Sequence, residues 1–90
     1  MKYVGYYNGK IGPYEEMTIP MSDRSIYFGD GCYDATTFCN QHIFALNDHL
    51  DRFYNSCKLL EIEFKMSREE LTIELNKCIE ANECDHGMIY

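Results

Sequence analysis

The sequence contains no tryptophan, only two prolines and no cysteine pair spaced as CxxC. Without such a pair, the commonest sequence signs of a structural zinc site or a dithiol redox centre are missing. No apolar run approaches the length of a bilayer span, and Met1-Lys2-Tyr3-Val4-Gly5 lacks the apolar core of a secretory leader. Positive charge is scarce: eight Lys and Arg stand against fifteen Asp and Glu, a net charge of -7. A surface of that sign repels phosphate backbones and anionic lipid, so neither nucleic acid nor a membrane is expected as a partner. There is also no P-loop, no GxGxxG, no HExxH and no Ser-His-Asp order, which removes the simplest routes to nucleotide, zinc-protease or serine-hydrolase chemistry.

What is present describes a folded chain. Ninety residues, 46% hydrophobic and 26% charged, suffice for a single small core, so residues 1–90 are read as one domain. The five cysteines, Cys32, Cys39, Cys57, Cys78 and Cys84, are odd in number and follow no leader, which fits a reducing, cytoplasmic setting. Each reads as a small buried hydrophobe or an inert thiol.

Tyr3 to Tyr7 is rich in strand-forming residues, and Asn8-Gly9 after it tolerates the positive φ of a tight hairpin turn, so Lys10 to Gly12 is the returning strand and Pro13 limits it. Asp23 to Gly31 reads as a loop. Cys32 to Cys39 suits a pleated surface, and Asn40-Gln41 turns it into His42-Ile43-Phe44-Ala45-Leu46 as a second hairpin. From Asn47, a good N-cap, the period becomes helical: Leu50, Phe53, Tyr54, Cys57 and Leu60 form an apolar stripe on a helix from about Asp48 to Leu60. Asp48, His49, Arg52, Asn55 and Ser56 fall on its polar face. Ser67-Arg68-Glu69-Glu70 is a capping box that opens a second helix with Leu71, Leu75, Cys78 and Ile79 on its apolar stripe. Gly87 to Tyr90 starts another strand, and a chain that stops in mid-strand is expected to be incomplete. The order predicts an α+β (mixed α/β) fold, in which two hairpins build a mainly antiparallel sheet with two helices packed on one side.

The residues alone carry little chemistry. Gly29-Asp30-Gly31 could cradle an anion through its backbone N–H groups, but such a triplet before a strand is in most cases a plain turn. His42, His49 and His86 lie in three elements without metal-ligand spacing, so no metal is assigned. Arg52, four residues after Asp48 and opposite the core stripe, is by itself a solvated cation or half of a weak ion pair. Tyr33 is one of eight tyrosines.

Taken in order, the motifs say more. Asp23-Arg24-Ser25-Ile26-Tyr27-Phe28-Gly29-Asp30-Gly31-Cys32-Tyr33-Asp34 resembles the D-R-x-x-x-[FY]-G-D-G-x-[FY]-E segment of the class IV aminotransferases, the group of D-amino-acid transaminase, branched-chain aminotransferase and aminodeoxychorismate lyase. The helix Asn47-Asp48-His49-Leu50-Asp51-Arg52-Phe53-Tyr54-Asn55-Ser56 is similar to that family's x-x-H-[IL]-x-R-[LF]-x-x-S motif at the usual separation. Tyr7-Asn8-Gly9-Lys10-Ile11 resembles its opening W/Y-x-N-G-x hairpin, so the likeness covers nearly the whole chain.

The resemblance implies the N-terminal domain of the pyridoxal-phosphate fold of D-amino-acid aminotransferases. It implies transfer of an amino group between an amino acid, branched-chain or D, and a 2-oxo acid, with Tyr33 leaning to the D type; pyruvate elimination from aminodeoxychorismate or a non-catalytic dimerisation module are the alternatives. It places Arg52 and His49 on the cofactor phosphate side, Arg52 because a planar guanidinium makes paired, charge-assisted bonds to phosphate oxygens. It places Tyr33 beside the substrate carboxylate. No catalytic residue is assigned: Lys2, Lys10, Lys58, Lys65 and Lys77 do not match the family's Schiff-base lysine, which the resemblance puts beyond Tyr90 in a second domain. The 90-residue chain is therefore expected to be inactive, to hold little or no pyridoxal phosphate, and to pair as a homodimer or larger oligomer. Two departures stand out: Cys32 where a larger aliphatic residue is common, and Asp34 where Glu is usual, a side chain about 1.5 Å shorter in reach.

Overall fold

A computed structural model of the chain describes residues 2–90. Strands β1 (Val4–Tyr7) and β2 (Lys10–Pro13) pair antiparallel with Tyr7 opposite Lys10. Asn8 and Gly9 both take positive φ, 47° and 87°, the turn geometry that matches strand twist. A single 3₁₀ turn, Tyr14–Glu16, follows.

The stretch predicted as loop over 23–31 contains a short helix, α1 (Arg24–Phe28). The Asp23 carboxylate accepts from the Ser25 backbone N–H at 2.9 Å and from its hydroxyl at 2.6 Å, satisfying groups at the helix start. Gly29 ends the helix at φ 67°, its N–H bonded to Ser25 O, a left-handed cap that glycine adopts without a Cβ penalty. One turn is too short to reveal itself by apolar periodicity.

The second hairpin forms, but β3 covers only Thr36–Cys39 and β4 only His42–Ile43, with Phe38 opposite Ile43. Residues 32–35 leave the strand because Asp34 turns to partners on a helix. β5 (His86–Ile89) pairs antiparallel along the other side of β3, with Phe38 opposite Gly87. The mixed α+β class holds, while the two hairpins occupy two separate sheets, β1-β2 and β4-β3-β5, rather than one.

Helix α2 spans Leu46–Leu59. Its N-cap is Ala45 in the left-handed region, φ 50°, and not Asn47: the sharp exit from β4 sets the cap two residues before the best capping side chain. Leu50 and Cys57 of the predicted stripe are buried, Phe53 and Tyr54 half-buried, while Leu60 lies past the helix end and is 55% exposed. Helix α3 (Arg68–Ala81) begins with the predicted capping box, Ser67 Oγ accepting from Glu70 N and Glu70 accepting from Ser67 N, both at 3.1 Å. The buried apolar side chains among the described residues come from three elements: Phe38 of β3, Leu50 and Cys57 of α2, and Ile79 of α3.

Two sets of contacts hold α2, one against the connection that follows it and one against the start of α3. Phe53, Tyr54 and Phe64 pack as three rings with centroids 5.2–5.8 Å apart, and the Tyr54 hydroxyl donates to Met66 O at 2.6 Å. Arg68, at the start of α3, donates to Asp51 at 2.6 Å and to Asn47 O at 3.3 Å. The opposite, polar face of α2 is thereby oriented towards the segment that enters β3.

Candidate functional site

That polar face carries His49 and Arg52, one helical turn apart, and both bind one carboxylate, Asp34. Arg52 donates side-on through Nε to Oδ2 and through Nη2 to Oδ1, each at 2.8 Å. The His49 Nδ1 lies 2.7 Å from Oδ1, and the Ala35 backbone N–H donates to the same oxygen at 2.8 Å. The Asp34 side chain is only 10% exposed, so this paired, multiply bonded arrangement is what makes an ionised group tolerable there. Its carboxyl is held far below the ordinary aspartate range, first by the Arg52 hydrogen bond, with burial opposing and with His49, the Arg52 charge and the Ala35 N–H adding to it. The same contact raises Arg52 further above its already high value.

The ionic state settles the tautomer of His49. A carboxylate offers only acceptors, so Nδ1 must carry the proton it shares with Asp34, and in the neutral ring Nε2 is left as the acceptor. The 3.4 Å approach of Arg52 Nη2 to that same Nδ1 is then a contact between two donors rather than a hydrogen bond. Arg52 is 65% exposed as a side chain. Asp34 occupies its Nε edge, and Nη1 takes no hydrogen bond among the described residues, which leaves N–H groups for an anion.

Tyr33, adjacent to Asp34, is exposed and stacks on Tyr90 with ring centroids 5.3 Å apart and planes 18° from parallel. Register explains the pairing: Thr36 lies opposite Ile89, so the residue after β5 arrives beside the residues before β3. Tyr33, Asp34, His49 and Tyr90 border a cavity of about 290 Å³ whose floor is apolar, Leu50 and Phe53 among it. No lysine lines it among the described residues.

Of the sequence-predicted site residues, the structure brings Arg52 and His49 together through Asp34, and His49 and Tyr33 onto one cavity that Arg52 does not line. The glycine triplet stands apart from this cluster: Gly29 caps α1, and Asp30 accepts from Arg24 Nε at 2.7 Å. His42 and His86 are exposed, His86 facing Asp85 at 2.8 Å, and among the described residues no group of three or more potential ligands could hold a metal. Sequence reasoning noted Asp34 only as a shortened glutamate and missed it as the hub. The signal available was its place closing the first motif while the second motif offered an imidazole and a guanidinium one turn apart. Tyr90 carried no signal, since only strand pairing brings it there.

The cluster can bind and orient, and its one proton acceptor not already committed among the described residues is Nε2 of His49. Asp34 is ionised but committed to three partners, and the Thr36 hydroxyl on the cavity lining is bonded to Phe44 O, which leaves Cys32, His49 and the tyrosine hydroxyls as the reactive groups of the described lining. The fit to a phosphate is specific at one point: an exposed guanidinium locked on one edge, with N–H groups left over on the other.

A family model described as amino-transferase class IV matches residues 31–90. The chain is similar to D-alanine aminotransferase of Listeria monocytogenes serotype 4b (strain F2365), 32% identical over 83 residues that cover 92% of this chain and 29% of that protein. It is 30% identical over 84 residues to the D-alanine aminotransferase of Bacillus licheniformis, covering 93% of this chain and 30% of the other. With that of Staphylococcus aureus (strain MSSA476) it shares 29% identity over 85 residues, 94% of this chain and 30% of the relative. The chain thus spans about 30% of the length of the curated relatives it matches.

Proposed function

The chain belongs to the class IV aminotransferase family, and from that premise we propose that it supplies the phosphate-gripping part of a pyridoxal-phosphate-dependent aminotransferase acting on a D-amino acid and a 2-oxo acid. The observation that carries this reading is Arg52 held by Asp34 with part of its guanidinium unengaged. Arg52 takes the phosphate, and Asp34 holds the guanidinium in a fixed plane so that little rotamer freedom is lost on binding. His49 keeps its ring oriented through Nδ1, and Tyr33 stands at the cavity mouth where its phenol can donate to a substrate carboxylate. When bound, pyridoxal phosphate supplies the electron sink that stabilises negative charge on the carbon bearing the amino group. We take the 90-residue chain by itself to be inactive, a reading supported by its spanning about 30% of the length of its relatives and by the lack of a lysine among the described residues that line the cavity. The whole protein works as a homodimer or larger oligomer in a reducing, cytoplasmic setting. Supporting the D-amino-acid choice are the names of the relatives, all three described above being D-alanine aminotransferases.

The test is an assay of the whole protein for pyruvate released from D-alanine with 2-oxoglutarate as acceptor. We expect turnover that falls at least tenfold in Arg52→Ala, with Arg52→Lys recovering only a part of it, because lysine restores the charge and not the two-pronged geometry. Turnover of L-branched-chain amino acids in place of D-alanine would refute the substrate choice. Pyruvate from aminodeoxychorismate without any acceptor would point to the lyase, and activity indifferent to Arg52 would remove the reading altogether.

A further inference from the structure

We propose that Cys32 and Cys57 form a thiol–disulfide exchange site that accepts a small-molecule disulfide and closes into an intrachain bond between the segment before β3 and helix α2. The two Sγ atoms lie 3.5 Å apart although the residues are 25 positions apart in sequence. A disulfide needs about 2.05 Å, so closure takes roughly 1.5 Å of approach. Residues 29–35 lie outside helix and strand, so the Cys32 side has backbone slack to supply it. None of the remaining cysteines, Cys39, Cys78 and Cys84, has a sulfur neighbour of this kind among the described residues.

The two thiols are unequal in a way that orders the reaction. Cys32 is partly exposed and lines the cavity, whereas Cys57 is buried. Burial first, then the hydrogen bond and charge of Cys32, push the Cys57 thiol up to about 11, so it is a poor first nucleophile. In the first step the Cys32 thiolate attacks a disulfide such as oxidised glutathione: a bond forms between Cys32 and one glutathione sulfur, and the other leaves as thiolate. In the second, Cys57 gives its proton to solvent and attacks the Cys32 sulfur, expelling the second glutathione. Two protein thiols are oxidised and one small disulfide is reduced to two thiols. The product ties Asp34, two residues beyond Cys32, more firmly to the helix that carries its partners. No part of this inference depends on the cofactor reading.

The experiment uses the 90-residue chain and a Cys39→Ser/Cys84→Ser variant, which removes the two exposed thiols, each incubated with oxidised glutathione under native conditions and mapped by mass spectrometry. Free thiols in the variant should fall from three to one, with two hydrogens lost from the intact mass. A linked Cys32–Cys57 peptide should appear and vanish with dithiothreitol. In Cys57→Ala the reaction should stop at a glutathione adduct on Cys32. Should that variant unfold by circular dichroism, Cys32→Ser serves instead and should leave Cys57 unreacted. A lasting adduct on Cys32 while Cys57 stays free, or links scattered to Cys78, would overturn the proposal.

Discussion

Asp34 decides how the polar face of α2 is used. A shorter acid than the glutamate of the family pattern still reaches both Arg52 and His49, because residues 32–35 leave strand geometry and bring the carboxylate to the helix. Its folded-state pKa is displaced downward, so the carboxylate contributes stability that is complete above the ordinary aspartate value of about 4 and is lost as pH falls towards the lower folded value. The urea midpoint of the native chain should therefore drop between pH 5 and 3 more steeply than that of Asp34→Asn, and parallel profiles would show that the cluster adds nothing. Added salt should shrink the difference, since the Arg52 partner is largely exposed and screened. Arg24 and Asp30 make a second ion pair of this family motif, with Arg24 also 4.8 Å over the Phe28 ring, and both side chains are solvent-facing. They steady α1 rather than form part of the cavity.

Among the elements, α3 is the one whose start was fully legible. Ser67 and Glu70 stand three apart ahead of an apolar stripe, and the reciprocal bonds they make are local, so nothing distant could override them. Ser67→Ala should cost about 1 kcal/mol of unfolding free energy, read from urea denaturation. An unchanged midpoint would mean that contacts between α2 and α3, such as Arg68 with Asp51, hold the helix start unaided. The hairpin turn at Asn8-Gly9 was legible for the same reason: both residues tolerate positive φ, and adjacent strands need no distant partner. The start of α2 was not. Asn47 is the better cap by side chain, yet Phe44 N bonds to Thr37 O and the chain then turns sharply through Ala45, so β4 pairing sets where the helix begins. The same competition shortened β3, where cross-element bonding of Asp34 won over strand propensity.

At the scale of the molecule the chain is thin, 35 × 30 × 18 Å, with few buried apolar side chains among the described residues for its apolar content. Ile26, Tyr27 and Phe28 of α1 lie largely in solvent, as do Ile19 and Met21 just before it. A further groove of about 1140 Å³, lined by apolar groups that include Tyr3, Phe38, Leu75 and Ile79, runs between β1, α3 and β5. Exposed apolar surface on this scale favours association, so the 90-residue chain should sediment with a mass that rises with concentration. A constant monomer mass across a hundredfold range would contradict this. Among the described residues no helix is long and apolar enough to cross a membrane.

What chain order alone determined is the local and the chemical: the tight turn at Asn8-Gly9, the capped start of α3, the mixed α+β class, and motifs that placed the chain among class IV aminotransferases. These rest on neighbours within a few positions, where backbone propensity and short-range hydrogen bonds suffice. Only the tertiary structure decided that Asp34 is shared by Arg52 and His49, that Tyr90 stacks on Tyr33, that the hairpins split into two sheets, and that Cys32 meets Cys57. Each of those joins residues far apart in the chain, and their meeting depends on how helices and strands pack, a balance of burial and pairing that no short window of sequence contains.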